Sequence, residues 1–365
     1  MRTPELAARL VRILTVPLLV AGVAAGVAPA AITRATPARP VASAGITGLL
    51  TGVAATSANN AWAVGNTQAA GTGNKTLILR WNGTSWTQVS SPAPPGSFLD
   101  GVAATSVSDA WAVGPSRSGK PVILHWNGAT WKQVPISTTG VSGLSSVAAT
   151  SASDAWAVGT ATSAKPAILH WNGTAWKQVP SPSPAGAGLI DVAASSARNA
   201  WAVGTAGSPT SSKVLILHWN GTTWKQVPSP EPANSTLDGV ATTSPSSAWA
   251  VGFSGTSDRA LIERWNGTTW KTVPSPSPTG SGLVSVAATS ASNAWAVGGI
   301  GGPKTLIERW NGTTWKMVPS PSPTPSILSG VTATSANNAW AVGWGAAQNT
   351  KTLILRWNGT SWTRS

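Results

Sequence analysis

The sequence predicts an all-β protein, a seven-bladed β-propeller of four-stranded antiparallel blades, and three observations carry that prediction. One unit recurs seven times from about Leu49 to Ser365, with 45 to 49 residues between successive Ala-Trp-Ala-Val-Gly motifs, the length of a propeller blade. Each unit contains four short segments of strand character separated by turn signals. Length variation is confined to one loop per unit. The first motif centres on Trp62, Trp111, Trp156, Trp201, Trp249, Trp295 and Trp340, and a second, Trp-Asn-Gly-x-x-Trp, begins at Trp81, Trp126, Trp171, Trp219, Trp265, Trp310 and Trp357. From the second motif to the next first motif is always 30 residues, whereas from first to second the distance runs 19, 15, 15, 18, 16, 15 and 17.

The elements follow in order within unit 1. Gly52-Val53-Ala54-Ala55-Thr56-Ser57 reads as strand A, made of small residues that suit the crowded centre of a ring. Ser57-Ala58-Asn59-Asn60 is a turn whose Ser and Asn side chains bond nearby backbone. Ala61-Trp62-Ala63-Val64 is strand B, 65–74 is the variable loop, and Thr76–Trp81 is strand C. Asn82-Gly83 predicts a type I′ hairpin, with φ > 0 at both positions. Trp86-Thr87-Gln88-Val89 is strand D, ended by Ser91-Pro92-Ala93-Pro94, since proline offers no ladder donor.

Of the 22 Trp, 21 lie on this pattern, so packing between blades is expected to use them. Each ring can bury about 150–250 Å², worth roughly 4–6 kcal/mol at most. That matters in a chain without cysteine, which must hold itself by packing. The other use of these rings is as platforms for sugars, for which Trp86 and its equivalents at the rim are the candidates. The seventh unit stops at Trp362-Thr363-Arg364-Ser365 with no strand exchange in view, so the ring is expected to close by side-chain packing of blade 7 on blade 1.

The N-terminus is organised differently. Arg2, Arg9 and Arg12 precede an apolar run, Ile13 to Val27, and Ala28-Pro29-Ala30 offers a cleavage site. Residues 1–30 are therefore expected to be a secretory signal peptide and 31–48 a disordered lead-in, with the propeller at 49–365. Secretion is the expected localisation; the alternative is an uncleaved N-terminal membrane anchor. The high Ala, Arg and Pro content suits a high-GC bacterium, and a monomer is expected. The whole chain carries +14, of which +12 remains after residue 30, yet only 9% of residues are charged, so the surface is neutral with sparse cations.

The two faces of the ring are unequal. A–B and C–D turns of constant length share one face, and the variable B–C loops share the other with Pro-rich D–A links. Constant turns on one side and free loops on the other is a usual way to carry binding. Six residues before each second-motif Trp stands a cation: Lys75, Lys120, Lys165, Lys213, Arg259, Lys304 or Lys351. A ring of cations attracts anionic polymers, with about 1 kcal/mol per Lys near an anionic membrane; the alternative is that they guard strand edges. A second row, Lys132, Lys177, Lys225, Lys271 and Lys316, reads as edge protection. Phe253 and Trp344, off the repeat pattern after Ala-Val-Gly, are candidate loop-face anchors.

Catalytic chemistry is poorly represented. His125, His170 and His218 share one repeat position, where the other units have Arg80, Arg264, Arg309 and Arg356, and on separate blades they cannot converge on a metal. No cofactor is expected. Tyr and Cys are absent, so neither can supply a nucleophile. A glycosidase needs two carboxylates flanking one bond; the ten acids are scattered, and Glu263 and Glu308, at equivalent positions, are expected to pair with nearby Arg.

The segment Asp154-Ala155-Trp156-Ala157-Val158-Gly159, followed by Ile168-Leu169-His170-Trp171-Asn172-Gly173-Thr174-Ala175-Trp176, resembles the repeats of bacterial secreted propellers of the BNR (Asp-box) and photosystem II assembly factor type. The resemblance covers all seven units, although Asn-Gly-Thr-x-Trp keeps only the Gly and final Trp of a full Asp box. It implies the propeller fold and leaves function open among sialidases, assembly factors and binding modules. The expected function is a secreted, non-enzymatic binding or scaffold module that meets an anionic or glycan-rich surface polymer, or an envelope protein, through its B–C loop face, with no specific nucleic-acid partner. The alternatives are a multivalent lectin with one site per blade and a propeller glycoside hydrolase or lyase.

Overall fold

The computed structural model describes residues 46–365 apart from 70–72, 137–139, 164, 209–210, 231–233, 256–258, 302–303, 324 and 346–350; the expected signal peptide lies outside the described residues. The chain forms seven four-stranded antiparallel sheets, each ordered A-B-C-D and each taken from one contiguous segment. In blade 1 the strands are Leu49–Ser57, Asn60–Ala69, Gly73–Trp81 and Trp86–Gln88. Blades 2 to 7 span 101–133, 141–178, 188–226, 235–272, 282–317 and 326–364. The A strands touch their neighbours all the way round, and that of blade 7 touches that of blade 1. The fold is the predicted seven-bladed ring.

Strand B is the heart of each blade because both its faces are covered. Ala61, Trp62, Ala63 and Val64 are fully buried. Alternation sends Trp62 and Val64 toward blade 2, beside Leu99 and Val102, and Ala61 and Ala63 toward blade 7, beside Trp340 and Val342. At every junction the B-strand Trp of one blade meets both second-motif Trp residues of the next. Trp62 lies 4.9 Å from Trp126 and 5.0 Å, edge-on, from Trp131. The expected packing role of the repeated Trp is thus observed.

The glycine of Ala-Trp-Ala-Val-Gly has a packing cause. Strand A shifts register between Leu50 and Gly52, a bulge that bends it inward. A Cβ on Gly65 would sit 1.9 Å from the Leu49 carbonyl oxygen, and the six equivalent glycines would meet the corresponding carbonyl at 2.0–2.2 Å.

The Asn-Gly turn differs from expectation. Trp81 pairs with Trp86 across a four-residue loop, and of the pair only Gly83 has positive φ (101°). The Asn82 carboxamide oxygen accepts the backbone N–H groups of Thr84 and Ser85, both at 3.0 Å, and the Thr84 hydroxyl at 2.9 Å. Those bonds hold the loop open at four residues, so a two-residue type I′ turn does not form.

Blade 7 closes on blade 1 by the same packing, with Trp340 lying 4.9 Å from Trp81 and 5.3 Å from Trp86. Hydrogen bonds add to it. The Thr352 N–H and hydroxyl donate to the Ile46 carbonyl at 3.3 and 3.1 Å, so the end of the expected lead-in lies on the outer half of blade 7.

Candidate functional site

The B–C loop face carries the seven register cations within two residues of the start of strand C. Lys75, Lys120, Lys165, Lys213, Arg259, Lys304 and Lys351 are all exposed. Lys304 borders a groove of about 300 Å³ formed with Ile300, Met317, Val318 and Ser320. Arg259 also donates to the Ser277 carbonyl at 3.3 Å. Among the described residues none of the seven makes an ion pair; the pairs present are His125–Asp109 and His170–Asp154. Of the described acids, Asp100 directly precedes strand A of blade 2, Asp191 and Asp238 lie on strand A of blades 4 and 5, Asp109 and Asp154 pair with their histidines, and Glu263 and Glu308 are fully buried in strand C. Glu231 and Asp258 are outside the described residues.

The aromatic candidates fare unequally. Phe253 lies within strand B of blade 5 with 7% of its surface exposed, so it packs inside the ring and is not an exposed loop anchor. Trp344 is half-buried near the end of strand B of blade 7, paired with Ile327 and Thr352. Trp86 and its equivalents at the rim are 1–4% exposed. Each is wedged edge-on against the preceding blade's strand-B Trp, so no face is left for a sugar.

The turn face holds a feature that only contacts between blades reveal. In four units the residue before Trp-Asn-Gly is Arg, and its guanidinium lies between two indoles. Arg80 sits 5.1 Å from the Trp62 ring centre and 5.2 Å from that of Trp126, and donates to the Val107 carbonyl at 3.3 Å. The same carbonyl accepts the Trp126 indole N–H at 3.1 Å. Arg264, Arg309 and Arg356 repeat this arrangement on Ala291, Ala336 and Ala58.

In the other three units His takes the place of Arg and turns back to its own blade. His125 stacks on Trp111 at 4.1 Å, and its Nε2 lies 2.7 Å from Asp109 Oδ1. His170 does the same with Trp156 and Asp154, and His218 with Trp201 and Asn199. Burial pushes the Asp109 carboxyl up, but hydrogen bonds from His125 and Thr105 and the His125 charge outweigh it, so it sits below the ordinary value. Asp154 is balanced the same way by His170 and Thr150. Burial lowers His218. Among the described residues no three His, Asp or Glu side chains group as metal ligands.

Sequence reasoning missed the acids at the centre of the ring. The Asp191 carboxylate accepts the Ser146 hydroxyl at 2.5 Å and the Val240 N–H at 2.8 Å, tying blades 3, 4 and 5 together. Burial raises its pKa despite these bonds. Burial raises Asp238 to about 7, helped by the charge of Asp191, and burial alone raises Asp100 to about 7. The available signal was that Asp stands in or directly before the small-residue strand A at these three places. Glu263 and Glu308 accept hydrogen bonds from Ser229 (2.6 Å) and Ser275 (2.8 Å), which corrects the expected pairing with Arg. Burial raises Glu308 to about 7.

No protein-family model matches the chain, and no curated protein matches it in sequence. Solved structures do match its fold. The BP39L lectin from Burkholderia pseudomallei aligns with TM-score 0.60 and 15% identity, covering 86% of this chain and 97% of the lectin. YCF48 bound to D1 peptide aligns with TM-score 0.58 and 15% identity over 89% of this chain and 98% of that one. YCF48 from Cyanidioschyzon merolae aligns with TM-score 0.56 and 14% identity, covering 86% and 96%. At such identities the likeness establishes the propeller and nothing finer.

Proposed function

We propose that this protein is a secreted, non-catalytic binding propeller whose B–C loop face captures an anionic polymer of a cell surface. One observation carries the reading: seven exposed cations at one register of seven blades, none of them in an ion pair among the described residues. Lys and Arg there attract phosphate or carboxylate groups along a flexible chain without demanding one fixed geometry. A lectin and a peptide-bound propeller among the fold neighbours support a binding role of this general kind. Residues 1–30 support secretion through their positive start, apolar run and Ala-x-Ala site.

The test is binding of residues 31–365 to poly(glycerol phosphate) at low and high salt, with wild type and the triple charge reversal K120E/K165E/K304E. The reading expects at least a tenfold loss in the triple variant and a steep fall with salt, the behaviour of counterion release. Unchanged binding in that variant would sink it. Salt-resistant binding to a neutral sugar would identify a lectin instead.

A further inference from the structure

The turn face repeats one construction at seven junctions but finishes it with a guanidinium at only four. At the Arg junctions a backbone carbonyl takes two donors, an indole N–H and an arginine N–H: Val107 from Trp126 and Arg80, Ala291 from Trp310 and Arg264. Ala336 takes Trp357 and Arg309, and Ala58 takes Trp81 and Arg356. At the His junctions the equivalent carbonyls of Ala152, Ala197 and Pro245 accept, among the described residues, only Trp171, Trp219 and Trp265.

The indoles change accordingly. Trp81, Trp126, Trp310 and Trp357, each covered by an Arg, are 4–5% exposed. Trp171 and Trp219 are only partly buried, and Trp265 stands between at 9%. The His rings lie on the opposite indole, that of the preceding blade, so Trp171 and Trp219 lack the guanidinium that covers Trp81, Trp126, Trp310 and Trp357. The same two junctions hold the carboxylates of Asp109 and Asp154, the described acids of this face.

We infer that the junctions between blades 2 and 3 and between blades 3 and 4 each bind the guanidinium group of an arginine side chain on a peptide or protein partner. The planar cation stacks on Trp171 or Trp219 and donates to the Ala152 or Ala197 carbonyl, as the protein's own Arg80 does on Trp126 and Val107. Asp109 and Asp154 offset the charge of His125 and His170 beside the two seats. The junction between blades 4 and 5 has neutral Asn199 in place of Asp and a better covered Trp265, and is the weaker third seat. Two adjacent seats suit a partner carrying two or more arginines. This surface is separate from the cation ring and has the opposite preference.

The probe is N-acetyl-arginine amide, followed through the indole N–H signals in ¹H–¹⁵N spectra of residues 31–365. Saturable shifts are expected for Trp171 and Trp219, while Trp126 and Trp310 stay still. The double variant H125R/H170R puts a guanidinium of the chain itself in each seat, as four other blades already do, so it is expected to fold with an undiminished Tm. It should weaken the probe at least tenfold. N-acetyl-lysine amide, lacking the planar fork, should bind at least fivefold more weakly than the arginine probe. The inference is overturned if the shifts survive in H125R/H170R or if the lysine probe matches the arginine probe. It is overturned equally if a neutral methyl glycoside moves these two signals and the arginine probe does not.

Discussion

Arg356, in the last blade, donates a hydrogen bond to the carbonyl of Ala58, in the first, at 3.4 Å. Its guanidinium lies 4.9 Å from the Trp340 ring centre and 5.3 Å from that of Trp81, so a single side chain stacks on both blades at the closing junction. A charged hydrogen bond and partly desolvated stacking together contribute about 1–3 kcal/mol. R356A is expected to lose that amount in denaturant unfolding, and R80A at an internal junction a similar amount. R356K should fall between, because an ammonium keeps the charge but not the plane. Loss of R356A stability far above that of R80A would show a closing junction of a different kind.

Two glycines separate backbone crowding from backbone conformation. A methyl group on Gly159 would lie 2.2 Å from the Gly143 carbonyl oxygen, which only a shift of strand A can relieve. G159A should cost about 3 kcal/mol or more. Gly83 has φ of 101° in an exposed turn, and its methyl would first meet the side chain of Asn59, at 3.3 Å. G83A should cost about 1 kcal/mol, from conformation. Thermal melts of the two variants should therefore rank clearly.

The carboxyls at the centre and in strand C set a pH dependence. Asp100, Asp238 and Glu308 titrate near 7 in the folded ring, against about 4 in the unfolded chain. Between those values the native state binds more protons than the unfolded one, so stability falls as pH rises from about 4 to about 7 and stays low above it. Tm at pH 5.5 should exceed Tm at pH 8. His218, lowered by burial, acts in the opposite sense as pH falls through its unfolded value and trims the difference. D238N, which removes the charge beside Asp191, should raise Tm at pH 8 and flatten the profile. An unchanged profile would count against these carboxyls as its source.

How much of this was legible beforehand depends on how far apart in sequence the partners lie. The blade was readable in Ala-Trp-Ala-Val-Gly and Trp-Asn-Gly-x-x-Trp, because strands A to D of one unit lie within one short stretch. The cation register was readable for the same reason. The exchange of Arg for His before Trp-Asn-Gly was visible too, but its meaning was not: Arg80 finds Val107 and Trp126 on the next blade. Asp191 meets Ser146 and Val240, each more than 40 residues away, and nothing in its own unit announces them. The misread turn is subtler, since Asn-Gly suits a two-residue hairpin and only the bonds of the Asn82 carboxamide show the longer loop.

The two aromatics off the repeat pattern should part company in experiment. Phe253 is 7% exposed within its sheet, so F253A should cost about 3–5 kcal/mol. Trp344 is half-buried beside Thr352, and W344A should cost distinctly less. Equal losses, measured by denaturant unfolding, would mean that Trp344 is as much a part of the interior as Phe253.

Each blade draws its four strands from one contiguous segment, and the junction that joins the two ends repeats the indole and guanidinium contacts found at internal junctions. The circle therefore has no privileged opening. A chain whose present ends were tethered, and which was cut instead in the link between blades 3 and 4, would carry the same set of contacts in a different order. Such a rearranged polypeptide should reach the same ring, because what the fold reads is which blade follows which, and not where the chain happens to start.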